Sequence, residues 1–276
     1  MTVLAVGATG HFAHLVVPAL KARGLRVRAL VRDPGKADEA RANGADEVVV
    51  ADLDDRASLD PAVEGCDGVF HLNPAFAPTG TAMGLAMVDA AQRSGSVSRF
   101  VFSGVYHPSL SLDNHASTRP VEEALYGSDL AFTVLQPAMF LQGLGVADAV
   151  ATGRLAAPWS RHSRMSYVDY RDVAEVAATA LATNELAHGT FELCSAGMWD
   201  RVTVAELITA VAGHPVQAEQ VDPAVPPGPM GDGLRAMFAE YDDHGFHGGN
   251  DLVLRTLLDR EPHGVASYVR ETVAAL

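Results

Sequence analysis

Apolar positions along the chain fall into short unbroken runs separated by longer stretches in which they recur every three or four residues. The runs are Val3 to Val6, Leu25 to Val31, Ala45 to Ala51, Gly68 to Leu72, Ser98 to Ser103 and Ala131 to Leu135. Segments this short, bounded by turn-forming residues, read as buried strands. After the first run, Phe12, Leu15, Val16, Ala19 and Leu20 recur at helical spacing, and comparable stretches lie near 34–42, 56–64, 80–94 and Pro120 to Tyr126. Regular alternation of strand and helix predicts an α/β chain, a doubly wound parallel sheet joined by right-handed crossovers.

Past Pro137 the pattern loses its regularity. Ala138 to Thr152 has helical spacing, Met165 to Val168 reads as a short strand, and Val173 to Leu181 as a helix opened by Asp169 or Asp172. Thr190 to Leu193 is a further strand and Thr203 to Val211 a helix. The proline-rich stretch Asp222 to Pro229 must be loop, and two helices near Asp251 to Leu258 and Val265 to Ala275 close the chain. This pattern divides the chain into a first domain at 1–137, rejoined by 165–195, and a smaller subdomain at 138–164 and 196–276.

The junction of the first strand and helix, Val6-Gly7-Ala8-Thr9-Gly10-His11-Phe12-Ala13, carries the first sign of chemistry. Gly7 permits a sharp turn, Gly10 lets backbone approach a ligand, and the small Ala13 lets helix and strand pack closely. The N–H groups opening a helix lack internal partners and carry the positive end of its dipole, so a pyrophosphate fits there. A second strand arrives at the distance a βαβ unit requires, which favours a dinucleotide site over a plain structural turn. Ligands of such sheets bind at the carboxyl ends of the strands, where Gly7, Arg32, Asp52, His71, Asn73 and Ser103 all fall.

Composition narrows the picture. With 48% hydrophobic and 20% charged residues, the 276-residue chain is expected to be globular, and no apolar run is long enough to span a membrane. The second strand begins at Leu25, so the amino terminus is read as part of the fold, and we expect no signal peptide and a cytoplasmic protein. A net charge of −14 argues against nucleic acid as a partner. Cys66 and Cys194 lack metal-ligand spacing and read as buried thiols. The run Asp242-Asp243-His244-Gly245-Phe246-His247 is the densest imidazole cluster, but its glycines suggest a loop, and no metal is expected.

Seven short segments, Gly7-Ala8-Thr9-Gly10, Val31-Arg32-Asp33-Pro34, Ala51-Asp52-Leu53-Asp54, Val101-Phe102-Ser103, Val121-Glu122-Glu123-Ala124-Leu125, Phe132-Thr133-Val134-Leu135-Gln136-Pro137 and Tyr167-Val168-Asp169-Tyr170-Arg171-Asp172-Val173-Ala174, occur in the order found in one family. Through them the chain resembles the NmrA-like branch of the atypical short-chain dehydrogenases/reductases. The resemblance implies a Rossmann domain binding NAD(P) beneath a small substrate subdomain, in a family holding NADPH-dependent reductases, quinone reductases and redox-sensing regulators. Ala13 stands where a third glycine is usual. The Tyr-x-x-x-Lys pair of classical members cannot exist here, because the only lysines are Lys21 and Lys36.

On this basis the cofactor-binding candidates are Gly7, Thr9, Gly10, His11, Phe12, Arg32, Lys36, Asp52, Leu53, Asn73 and Pro74. Arg32 ends the second strand, where an acidic residue would select NAD(H); its planar fork suits a 2′-phosphate and points to NADP(H). Lys36 either assists or lies on the exposed side of its helix. Asp52 matches the residue that accepts from the adenine amino group, or else caps the next helix. Ser103 matches the catalytic-serine position. His115-x-x-x-Arg119 mimics the spacing of the missing pair, histidine serving as proton donor, although Pro120 suggests that His115 sits in a surface loop before the helix. Tyr106 is the rival donor. Phe76, Met139, Phe140, Trp159, Trp199, Met230 and Phe246 suit either core packing or a small apolar or aromatic substrate. The expected function is hydride transfer to a small apolar carbonyl, quinone or enone by a monomer or homodimer. The alternatives are an NADP(H)-binding redox sensor acting through a protein partner, and an isomerase or cyclase that retains its cofactor.

Overall fold

A computed structural model describes residues 1–276, which divide into two compact units, Met1–Gln136 with Val173–Glu192, and Pro137–Asp172 with Leu193–Leu276. The first unit is built on a seven-stranded sheet of β1 (Thr2–Val6), β2 (Arg26–Val31), β3 (Glu47–Val50), β4 (Gly68–Leu72), β5 (Arg99–Ser103), β6 (Ala131–Pro137) and β7 (Gly189–Leu193). Its strand order is β7-β6-β5-β4-β1-β2-β3, and the pairs from β3 through β6 are parallel. The doubly wound α/β architecture expected from the alternating pattern is therefore present.

Alternation along the strands explains the layers. Leu4, Val6, Val69, Phe100, Phe102 and Val134 point to one face, where they meet buried residues of α3 (Arg56–Val63), α4 (Gly80–Ser94) and α6 (Arg119–Tyr126). The alternate residues Val3, Ala5, Val27, Ala29, Phe70 and Val101 are equally buried from the opposite side. Helix α1 (Val16–Ala22) does not start at the glycine turn; a 3-10 turn at Ala13–Leu15 intervenes. The segment near 34–42 likewise splits into a 3-10 turn at Pro34–Lys36 and α2 (Ala37–Ala42).

The second unit departs more from the sequence pattern. Instead of one helix over 138–152, Met139–Phe140 is extended and pairs in parallel with Tyr167–Val168, a 3-10 turn follows at Leu141–Gly143, and α7 covers only Val146–Thr152. Gly145, at φ 72°, sets the turn that separates them. That pairing also keeps 165–172 with the second unit, although the sequence pattern sends 165–195 to the first. Helix α8 (Tyr170–Ala182) leads back to the first unit at Val173. Helices α7, α9 (Arg201–Ala212) and α12 (Val265–Ala274) pack on one another, and Arg154–Ala157 pairs with Gln217–Gln220. Helix α10 (Pro229–His244) occupies a stretch whose helical spacing is masked by Gly231 and Gly233. Asp242 to His244 thus form its last turn rather than a loop, ended by Gly245 at φ 70°. Helix α11 (Leu252–Leu258) completes the unit. No helix is long and apolar enough to cross a membrane. Cys66 and Cys194 are buried thiols without a disulfide.

Candidate dinucleotide site

Strand order reverses between β1 and β4, and the carboxyl ends of these two strands meet at Gly7. A Cβ added there would stand 2.9 Å from Leu72 Cδ2 at the end of β4 and 2.9 Å from Ala13 Cβ. Gly7 also has φ 82°, so the turn accepts no other residue without strain. The amide of Gly10 closes the turn by donating to the Gly7 carbonyl at 2.7 Å. A Cβ on Gly10 would crowd that carbonyl at 3.1 Å. The His14 ring Nδ1 lies 2.9 Å from the Gly10 carbonyl. The backbone amides of Thr9 and His11 donate to no group of the protein, leaving N–H groups open at the crevice that parallel sheets use for ligands. The exposed His11 ring meets the Phe12 ring edge-on at 4.5 Å.

The remaining nucleotide candidates lie at the ends of β2, β3 and β4. Arg32 directly follows β2, is exposed and makes no ion pair or hydrogen bond. Lys36 is engaged: its Nζ sits 2.7 Å from Glu39 Oε2, which holds its pKa above the usual lysine value. Asp52 does not cap the next helix. Its Oδ1 accepts from the Asp54 amide at 3.0 Å in a local turn, while Asp55 caps α3 through the Ala57 amide at 3.1 Å. Leu53 packs on the core. Asn73 and Pro74 follow β4, and Asn73 Oδ1 lies 2.9 Å from Nε2 of the fully buried His71. His71 packs near the rings of Phe102 and Phe100, at 6.0 and 6.2 Å, and burial pushes its pKa down to about 4. It is therefore a neutral imidazole that shapes the end of β4.

Ser103 is the buried last residue of β5. Tyr106 is buried three residues later, its ring 4.0 Å from that of His107. His107 sits at φ 53° and pairs with Glu192 Oε1 through Nδ1 at 2.8 Å. His115 does not occupy a surface loop: it belongs to the short helix α5 (Asp113–Ala116) and is completely buried. The chain remains in right-handed helical conformation through Ser117 and Thr118, which carries His115 inward although Pro120 lies in the first turn of α6. His115 Nδ1 lies 3.0 Å from the His107 carbonyl, so His107 touches His115 through its backbone and Tyr106 through its ring.

Sequence reasoning passed over Glu122. This α6 residue is buried with neutral partners, Gln136 Nε2 at 2.9 Å and the Tyr126 hydroxyl at 3.2 Å, and desolvation raises its pKa. A Cβ on Gly104, next to Ser103, would stand 3.1 Å from Glu122 Oε1. The available signal was a glutamate on the apolar face of an amphipathic helix, at 122 between Val121 and Leu125.

The model of the NmrA-like family matches residues 1–269. The chain belongs to the NmrA-like family. Among curated relatives of this NmrA-like chain, an NAD(P)H azoreductase of Xenophilus azovorans is 31% identical over 227 residues, covering 78% of this chain and 75% of that one. Among solved structures, the triphenylmethane reductase of Citrobacter sp. complexed with NADP(H) superimposes with a TM-score of 0.82 at 20% identity, over 98% of this chain and 99% of that one. NmrA, a negative transcriptional regulator in complex with NADP, gives 0.80 at 19% identity over 99% and 95%.

Proposed function

We propose that this protein is an NADPH-dependent oxidoreductase that passes hydride to a small apolar carbonyl, quinone or enone. The observation that carries the reading is the open amide turn at the β1/β4 reversal with an unengaged guanidinium at the end of the neighbouring β2. Similarity to an NAD(P)H azoreductase through most of the chain supports it. The residues present fit the cofactor. The Thr9 and His11 amides suit a pyrophosphate, and Arg32 suits a 2′-phosphate, because a planar guanidinium accepts phosphate oxygens through parallel N–H groups. Lys36, already paired, is a lesser contributor. Asp52 and Leu53 border the adenine end, and Asn73 with Pro74 the stretch after β4. When bound, NADPH supplies the hydride; the protein orients the reactants and excludes water.

Proton supply falls to the connection after β5. Ser103 holds the acceptor's oxygen through its hydroxyl, and His115 delivers the proton, with Tyr106 as the competing donor. A Tyr-Lys pair is excluded by the absence of lysine beyond Lys36. Turnover of a quinone, enone and aldehyde panel with NADPH tests the reading. His115→Phe is expected to lower kcat by about a hundredfold while NADPH affinity, read by calorimetry, stays within error, and Tyr106→Phe to have little effect. The reverse pattern would move the role to Tyr106. If no acceptor is reduced while NADP+ and NADPH bind with different affinities, the protein is a redox sensor instead.

A further inference from the structure

Arg201, the first residue of α9, is 2% exposed and pairs with no carboxylate. One of its nitrogens, Nη2, donates to the Trp159 carbonyl; Nε and Nη1 are buried without a partner. Leaving a guanidinium in this condition is unfavourable, because a buried charge is normally paired and its donors matched. The one carboxylate that acts on it through space, Asp242, is exposed and already accepts from the Ser160 amide and from Gln220 Nε2 at 3.4 Å.

The surroundings of Arg201 share the same imbalance. Its Cζ lies 5.3 Å from the centroid of the Trp159 ring. Trp159 in turn meets Tyr241 at 5.4 Å and Phe238 at 5.9 Å, and Tyr241 meets Phe246 at 5.6 Å. Burial pushes the pKa of the neighbouring Tyr167 up to about 12, so that hydroxyl supplies no negative charge. On the Trp159–Ser166 segment, Trp159 Nε1, Ser163 Oγ and Ser166 Oγ are also buried without partners. The segment is held against Trp199 and Phe246 by backbone bonds from Met165 and Ser166. Every unmatched group here can donate, and an indole N–H and a guanidinium can do nothing else. Beside them, Phe238 and Pro158 border an open pocket of about 430 Å3 whose wall also carries Asp222, Arg235 and Asp242, with room for an aryl group on its Phe238 side.

We propose that the second unit holds a binding site for a planar aromatic or conjugated monocarboxylate, whose carboxylate neutralises Arg201 and whose ring packs among Trp159, Phe238 and Tyr241. One guanidinium balances one negative charge; a dianionic phosphate would leave excess charge among the aromatic rings. The site is contained in the second unit and does not rest on the cofactor assignment.

The test is calorimetric titration of the full-length protein with benzoate, trans-cinnamate and 3-phenylpropionate, each beside its neutral amide. At least one acid is expected to bind saturably and at least tenfold more tightly than its amide. Arg201→Met keeps the volume and removes the charge; it is expected to abolish that preference and, by removing an unpaired buried cation, to leave the Tm of the ligand-free protein unchanged or raised. If Arg201→Met does not fold, Arg201→Lys decides, since it retains the charge and should retain a weakened preference for the acid. Equal binding of acid and amide, binding of neither, or a preference that survives Arg201→Met would overturn the proposal. So would loss of the preference in Arg201→Lys.

Discussion

The two units of this chain handle charge in opposite ways. In the first, ion pairs such as Lys21–Asp46, Arg26–Glu47 and Arg93–Asp60 stay at the surface, and the buried carboxyl group of Glu122 has the neutral partners Gln136 and Tyr126. In the second, Asp169 and Asp172 are completely buried on either side of the start of α8. Asp169 takes Arg171 and Gln142, and Arg171 reaches on to Glu271. Asp172 accepts from Arg260 Nη2 at 2.7 Å, the His263 amide at 2.7 Å and His263 Nδ1 at 2.7 Å. A regular sheet needs no such device, because ladder and alternation set its register residue by residue. The irregular unit joins segments about 90 residues apart, and the directional bonds of a buried carboxylate specify which segments meet.

Breaking the clasp should give the largest effect. Asp172→Ala leaves Arg260 and the His263 amide without their acceptor and is expected to destabilise the protein by about 3–5 kcal/mol, read from urea unfolding. Lys21→Met, at the rim of the sheet, should cost less than about 1 kcal/mol. Similar losses from the two variants would erase the distinction between the units.

The buried imidazole of the first unit provides the next test. His71 has its pKa depressed in the folded state, so the unfolded chain binds the proton more readily, and stability falls as pH drops from about 6.5 towards about 4. By pH 4.5 the loss attributable to His71 should reach roughly 2 to 3 kcal/mol. Comparing unfolding free energies of the unmodified protein and His71→Asn at pH 7 and pH 4.5 isolates it. A difference between the two proteins that stays constant with pH would mean that His71 is not held neutral.

Two cations on the same connection after β2 sharpen the comparison at smaller scale. Arg32→Ala should remove a charge-assisted contact of about 1.5–3 kcal/mol, a tenfold to somewhat more than hundredfold loss in NADPH affinity, with NADH barely affected. Lys36→Ala, which removes only an exposed pair with Glu39, should leave both stability and NADPH binding nearly unchanged. Equal binding of NADPH and NADH by the unmodified protein would defeat the Arg32 assignment.

Much of the first unit was legible in the sequence because its signals are local. Four buried residues running into Gly7 already state strand and turn, and the residues named there do lie at the β1/β4 reversal. Asp52 shows the limit of that reading, since the choice between Asp52 and Asp55 as cap depends on backbone angles that the residue types do not distinguish. The second unit was legible in its later helices, but not at 138–152, where pairing of Met139–Phe140 with Tyr167–Val168 overrode helical spacing.

By itself, the sequence determined the alternating elements, the glycine turn and the absence of any Tyr-Lys pair. Each depends on residue type and short spacing alone. Tertiary structure decided which polar side chains lose their water. It buried His115 against the His107 carbonyl, Glu122 beside Gly104, and Arg201 among aromatic rings. A histidine, a glutamate or an arginine reads the same in sequence whether solvated or enclosed. Desolvation is imposed by segments distant along the chain, and only their packing reveals it.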